Sequence, residues 1–415
     1  MRWILLTLFL ATDAFANQAV MTTTDYTSGA LSSLDLGTNT AANDHLVIHS
    51  DAVVRVYRDK VYVLNRLGQD NVIVLDRGDL ATPLTQYSTG NGSNPHDIAF
   101  VSEEKAYISR YGLTHLLVVN PVTGDSLGSV DLSTFADADG LPETSQLALY
   151  GGHLFAACHR LDRETPYWDP TEFSVIAVVD VTTDLLVDAD SDTPGTQGIL
   201  MEGKNPSSAW QQGSRWILSA VNTYTDLADG GIEVIDLSAM RSEGIVLDEA
   251  AMGGNLWSLA MTSDSDGYAV VTDENFVNTV KRLDLTTRHV SQGLESLSGG
   301  QVPGLGVFGE RLYVLDRGSF GDPASAGVKV YDVSTDELVA GPIGTGLPPS
   351  SIAFVGSVAD FDGDCVVDFS DFLAFASAFG RTAGDDDFDG KFDLNGNGEV
   401  DFQDFLIFAS EFGGR

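Results

Sequence analysis

Two stretches near the C-terminus space their oxygen donors as a hard metal ion requires. They are DFDGDCVVDFSD, beginning at Asp360, and DLNGNGEVDFQD, beginning at Asp393. In the first, side-chain oxygens at positions 1, 3, 5, 9 and 12 come from Asp360, Asp362, Asp364, Asp368 and Asp371, with the Val366 carbonyl at position 7. In the second they come from Asp393, Asn395, Asn397, Asp401 and Asp404, with the Glu399 carbonyl. Calcium takes roughly six to eight oxygens, and a twelve-residue loop of this pattern supplies them. Ca2+ is therefore the expected cofactor. A second register across DDDFDGKFD, using Asp385, Asp387, Asp389 and Asp393, lacks an acid at its last position. A merely solvated acidic run is the plainer alternative. Against it, Gly398 falls where the loop turns sharply, and the whole unit recurs at an offset of 33 residues.

A second constellation lies upstream and is more dispersed. It comprises His49, Asp51, Arg66, His96, Asp97, Arg110, Glu143, His159, Arg160, Asp316 and Arg317. Arg66, Arg110, Arg160 and Arg317 each follow the same strand of a repeat, and arginine binds carboxylates in bidentate fashion. HSD at His49 and PHD at His96 offer nitrogen and oxygen to a metal. The plainer reading is that His and Asp cap exposed turns and that the arginines are inherited with the repeat. No HExxH or GxSxG motif occurs. Cys158 and His159 are adjacent, so on a strand they face opposite sides and do not act on one another.

Positioning these groups falls to a repeat. Seven short apolar segments end in Asp or Asn: ALSSLD at Asp35, NVIVLD at Asp76, HLLVVN at Asn120, VIAVVD at Asp180, GIEVID at Asp236, TVKRLD at Asp284 and GVKVYD at Asp332. Their separations are 41, 44, 60, 56, 48 and 48 residues. Each is long enough for four strands and their turns, the period of a propeller blade. Smaller apolar runs such as SDAVVRV, PHDIAFV, LWSLAMT and SSIAFVG suit strands nearest a central axis. The first outer strand precedes the first inner strand, and the last inner strand, SSIAFVG, has no outer strands behind it. The expectation is an all-β seven-bladed propeller, closed by N- and C-terminal strand exchange that removes a free sheet edge. The dispersed polar residues then rim a central funnel.

The wording of the repeat is also telling. KVYVLNRLGQDNVIVLD resembles the YVTN-type repeat of secreted seven-bladed propellers, and RLYVLDRGSFGDPASAGVKVYD is a looser copy. That resemblance spans roughly residues 20–356. After each acidic loop comes a short amphipathic helix, with Phe372, Phe375 and Phe379 repeated as Phe405, Phe408 and Phe412. A loop and helix in tandem, without a leading helix, resembles a type I dockerin. This implies a small α-helical, EF-hand-like calcium module that docks a protein or glycan partner. Three departures stand out. Position 12 is Asp where an EF-hand has Glu, and Cys365 replaces a turn glycine. Phe369-Ser370 and Phe402-Gln403 stand where such dockerins use small polar pairs to meet a cohesin.

Composition bounds the rest. The formal charge is −38, which repels nucleic acid and anionic lipid. MRWILLTLFLATDAFA reads as a signal peptide cut after Ala16: a basic residue, a short apolar run and a small-x-small site. No later run is long enough to span a bilayer. The two cysteines, Cys158 and Cys365, make no disulfide framework. The expected organisation is a signal at 1–16, a propeller at 17–356 and the calcium module at 357–415. The expected product is a monomeric, secreted, surface-bound or periplasmic binding or scaffold protein. The alternative is a lactonase-like hydrolase acting on a small cyclic ester or sugar lactone in the funnel, with His49, His96 and nearby acids as base or metal ligands.

Overall fold

The computed structural model describes residues 17–319, 321–357, 359–361, 367–382, 390–394 and 397–413. The signal-like segment lies outside them. Among the described residues, the strands form seven antiparallel sheets arranged as blades. Blade one runs Ala52–Tyr57, Lys60–Asn65, Asn71–Asp76 and Thr85–Ser88, from the axis outwards. Blades two to six open with the inner strands Pro95–Phe100, Thr144–Tyr150, Pro206–Gln212, Asn255–Met261 and Leu305–Phe308. The seventh sheet has Pro349–Val355 innermost. That strand pairs with Gln18–Thr24, which is followed by Gly29–Asp35 and Thr40–Ile48.

Alternation along the second strands explains the stacking. In Lys60–Asn65, Val61 and Val63 enter a cluster with Val20, Leu31 and Ile48 of blade seven. Tyr62 and Leu64 enter another, with Ile98 and Ile108 of blade two. Successive side chains of a strand face opposite sides, so one strand serves two neighbours and is apolar on both faces. Similar clusters fill the five remaining junctions between neighbouring blades. Each fully buried aromatic or aliphatic side chain there stabilises the ring by about 1.5–3 kcal/mol.

The repeated Asp has a structural task. Asp180 Oδ1 accepts from the amides of Thr182 and Thr183 at 2.9 and 2.8 Å. Asp236, Asp284, Asp332 and Asn120 close their turns in the same way. Such Asx turns fold the chain from the third strand into the fourth. Four residues on, Asn39, Gly124, Asp184, Met240, Arg288 and Asp336 all take positive φ.

Three helices matter here. Helix α1 (Glu249–Met252) is a single turn between blades. Helices α2 (Phe369–Ala378) and α3 (Phe402–Glu411) form the tail and bury Phe375 and Phe408 between them. Among the described residues, no helix is long and apolar enough to cross a membrane.

Candidate functional site

The inner strands surround a central cavity of about 660 Å3. An innermost strand has an edge that pairs with no further strand, so its polar groups need other partners. The neighbouring blade supplies them. Asp97 accepts from the Leu147 amide at 3.0 Å, Ser208 Oγ from the Leu259 amide at 3.3 Å, and Thr22 Oγ1 donates to the Ala52 carbonyl at 3.0 Å. Much of the cavity's polarity therefore joins one blade to the next.

Asp51, Arg66, Asp97 and Arg317 line this cavity. Arg66 is ion-paired with Asp51, and Arg55, which sequence reasoning passed over, binds Asp97 at 2.7 Å. Arg317 differs. Its guanidinium lies 4.2 Å from the Tyr26 ring centre and donates to the carbonyls of Thr24 at 2.9 Å and Pro349 at 3.4 Å. Burial lowers its pKa, with the Asp25 carboxylate opposing. Among the described residues it forms no carboxylate ion pair, so it is the cavity's unneutralised cation.

The other expected rim residues are held elsewhere. His49 accepts from the Asp51 amide through Nδ1 at 3.2 Å. His96 stacks on Tyr111 with centroids 4.3 Å apart, and desolvation there, with Arg66 nearby, holds its imidazole well below the usual range. His159 is buried, bonded through Nδ1 to Asn205 at 2.9 Å and through Nε2 to Ser145. Burial pushes its pKa down to about 4. Arg110 donates to the carbonyls of His115 and Thr89, at 2.8 and 3.3 Å. Arg160 pairs with Glu172 and lines a separate cavity beside Pro194. Glu143 is buried against Arg163 at 2.8 Å, and Asp316 against Lys329 at 2.8 Å. The structure thus brings four of these residues to one cavity and leaves the three histidines outside its lining.

In the tail, the two acidic loops are closed by their own carboxylates. Asp371 is buried and accepts from the amides of Phe361 at 2.6 Å and Asp368 at 2.9 Å. Asp404, its counterpart, accepts from the Asp401 amide at 2.8 Å. Asp368 and Asp401 cap their helices by accepting from the amides of Ser370 and Gln403. Asp393 accepts from the amides of Asn397 at 3.1 Å and Gly398 at 2.7 Å, and Gly398 takes a φ of +86°. The Glu399 amide in turn donates to Asn397 Oδ1 at 2.8 Å. Asp360 stands at the start of the first loop, a few residues past the last propeller strand. Asp362, Asp364, Cys365, Val366, Asp385, Asp387, Asp389 and Asn395 lie outside the described residues.

Sequence reasoning missed the aromatic lining of the cavity. Tyr26, Trp210, Tyr224 and Trp257 all reach it. The signal was present in LWSLAMT: a tryptophan amid small inner-strand residues, on a strand whose alternate side chains face the axis.

No protein-family model matches the chain, and no curated protein matches it. Among solved structures it is similar to hydrazine synthase of Kuenenia stuttgartiensis, at 15% identity and a TM-score of 0.53, over 73% of this chain and 90% of that one. It is also similar to a functionally unknown protein from Desulfotomaculum acetoxidans, at 12% identity and a TM-score of 0.52, over 82% and 100% of the two chains. At such identities the likeness is one of fold alone, and in fold the chain is a seven-bladed β-propeller.

Proposed function

We propose that the chain is an exported recognition protein: a YVTN-type propeller, closed by strand exchange, carried on a dockerin-like calcium module that docks it to a protein partner. The observation that carries this reading is an apolar face on the tail, duplicated at the 33-residue offset. Phe369 and Phe402 are each 62% exposed, Leu373 and Leu406 each 54%, and Phe379 and Phe412 51% and 48%. A helix pair this small gains stability by burying such residues, so matched exposure in both halves supports a docking role.

The donor set in the loops is all oxygen, which fits calcium and not a softer metal. Asp360, Asp362, Asp364, Asp368 and Asp371 would hold one ion, with Val366. Asp393, Asn395, Asn397, Asp401 and Asp404 would hold the other, with Glu399. The ion's role is structural: it offsets the repulsion of clustered carboxylates and fixes the loops that aim the two helices. Pairing of Gln18–Thr24 with Pro349–Val355 supports closure by exchange. The Ala14-Phe15-Ala16 cleavage pattern supports export. Lactone hydrolysis was expected to use His49, His96 and nearby acids; Asp51 and Asp97 line the cavity but neither histidine does, so that reading gains little support from it.

The test is calorimetric titration of the full chain with calcium, followed by partner capture. Two binding events are expected, each abolished by alanine at Asp360 or Asp393. Phe369→Ser with Phe402→Ser should leave the isotherm intact and abolish capture. Absence of any calcium heat would overturn the reading of the tail.

A further inference from the structure

A second cavity of about 340 Å3 adjoins the central one, and Tyr224, Trp257 and Gln301 line both. This is near the lower end for small-molecule sites, about 300–1,000 Å3. Tyr224 and Trp257 meet with centroids 5.8 Å apart at 50°, so the rings open as a shallow V. Phe276 also lines this cleft and is 86% exposed. Three aromatic rings thus stand at one mouth, two on loops that join the second and third strands within neighbouring blades and one on an inner strand.

The charge in the lining is of one sign. Asn255 is 6% exposed; its Nδ2 donates to the Tyr224 carbonyl at 3.1 Å, and its Oδ1 has no hydrogen-bond partner. The Asn278 amide nitrogen is likewise committed, to Thr272 Oγ1 at 3.1 Å. Asp273 adds a carboxylate whose Oδ1 accepts from the amides of Asn275 and Val277. No lysine, arginine or histidine is among the described residues lining the cleft. The cleft presents ring faces and a negative charge, with no cationic side chain in its described lining, within a protein of net charge −38. An organic cation needs what this cleft has, because ring faces attract positive charge within about 6 Å of their centres.

We propose that this cleft binds a small organic cation of the alkylammonium class, seated against Tyr224, Trp257 and Phe276 with Asp273 as counter-charge. The proposal stands apart from the tail and from calcium.

Choline chloride titrated into the full chain at fixed ionic strength, followed by tryptophan fluorescence and calorimetry, tests it. The comparison ligand is 3,3-dimethyl-1-butanol, which has the same shape without the charge. Choline is expected to saturate a single site, with the alcohol about tenfold or more weaker and Trp257→Leu weakening choline to a similar degree. Asp273→Asn keeps an oxygen to accept both backbone amides, so it retains the turn, and it should weaken choline several-fold without affecting the alcohol. Equal binding of the alcohol overturns the proposal. So does choline binding that neither variant changes, preferential saturation by methyl glucoside, or no saturation at all.

Discussion

The amide of Gly413 donates to the carbonyl of Val367 over 2.8 Å. Thirty-three residues earlier, Gly380 makes the same bond to Val400, also 2.8 Å, so each helix of the tail ends on the other unit's loop. Neither loop-helix unit is complete alone. The tail should therefore melt as one body. Deleting the residues after Glu411 removes one of these bonds and the Phe408–Phe412 ring contact. Hydrogen exchange is expected to accelerate equally in α2 and α3, with the blades unchanged.

Phe408 tests the same unit from within. It is 1% exposed and packs against Phe361, Phe372 and Phe375. Phe408→Ala should cost about 3–5 kcal/mol, more than so small a core can lose, and proteolysis should then cleave the tail from a folded propeller. Phe402→Ser, on the exposed face, should leave the cleavage rate within twofold.

Lys329 and Asp316 form a buried pair at 2.8 Å in blade six, beneath the Ser298 turn. Lys329→Met would leave a buried carboxylate without its cation. The expected loss is about 3–5 kcal/mol, read from urea midpoints. Lys329→Arg should fare only slightly better, because the site is shaped for a point charge.

Stability should respond to pH in two windows of opposite sign. Hydrogen bonds from Ser334, with Arg311 adding to them, lower the Asp332 carboxyl to about 2; Thr183 and Thr287 lower those of Asp180 and Asp284. Their contribution is present above the ordinary carboxylate value and is lost as pH falls through the lowered one. Burial instead pushes Glu249 up to about 7, against the amides of Leu256 and Gly230 at 2.7 and 3.0 Å. Between its ordinary value and about 7 the folded state holds the extra proton, so its contribution falls as pH rises across that interval, while the lowered imidazoles of His96 and His159 act in the opposite sense below their ordinary value. Glu143 acts in the same sense as Glu249. Urea midpoints at successive pH values should peak on the acid side of neutrality, and carbon-13 titration should place the Glu249 carboxyl near 7.

Cys158 is fully buried in the cluster between blades two and three, and burial pushes its thiol up to about 12. In a Cys365→Ser background, no thiol should react with Ellman's reagent until denaturant is added. Rapid native labelling would mean that the junction between blades two and three opens.

The fold was legible because its signal is repetitive. Seven segments closing on Asp or Asn announce seven third strands, and the cause proves local: the side chain caps the turn behind it. The cavity was only half legible. Sequence reasoning equated polarity with a solvent-facing rim, which held for Asp51 and Arg66. It failed to separate these from His159, whose ring turns into the layer between blades to meet Asn205. Asp97 shows the reason: it lines the cavity and also serves the Leu147 amide of the next blade, a need set by the ring and not by neighbours in sequence. Trp257 ran the opposite way, apolar in type yet turned towards the axis.

The pairing of Pro349–Val355 with Gln18–Thr24 in the seventh sheet also bears on how the molecule carries a load. Tension on the tail enters the ring at Val355, the end of a strand that Gln18–Thr24 grips along its length. A pull along that strand shears its backbone bonds together instead of unzipping them one by one. Arg317 adds a cross-tie at the far end of the pair, holding Thr24 on one strand and Pro349 on the other. A load entering at Val355 is therefore shared along the whole pairing of the two strands.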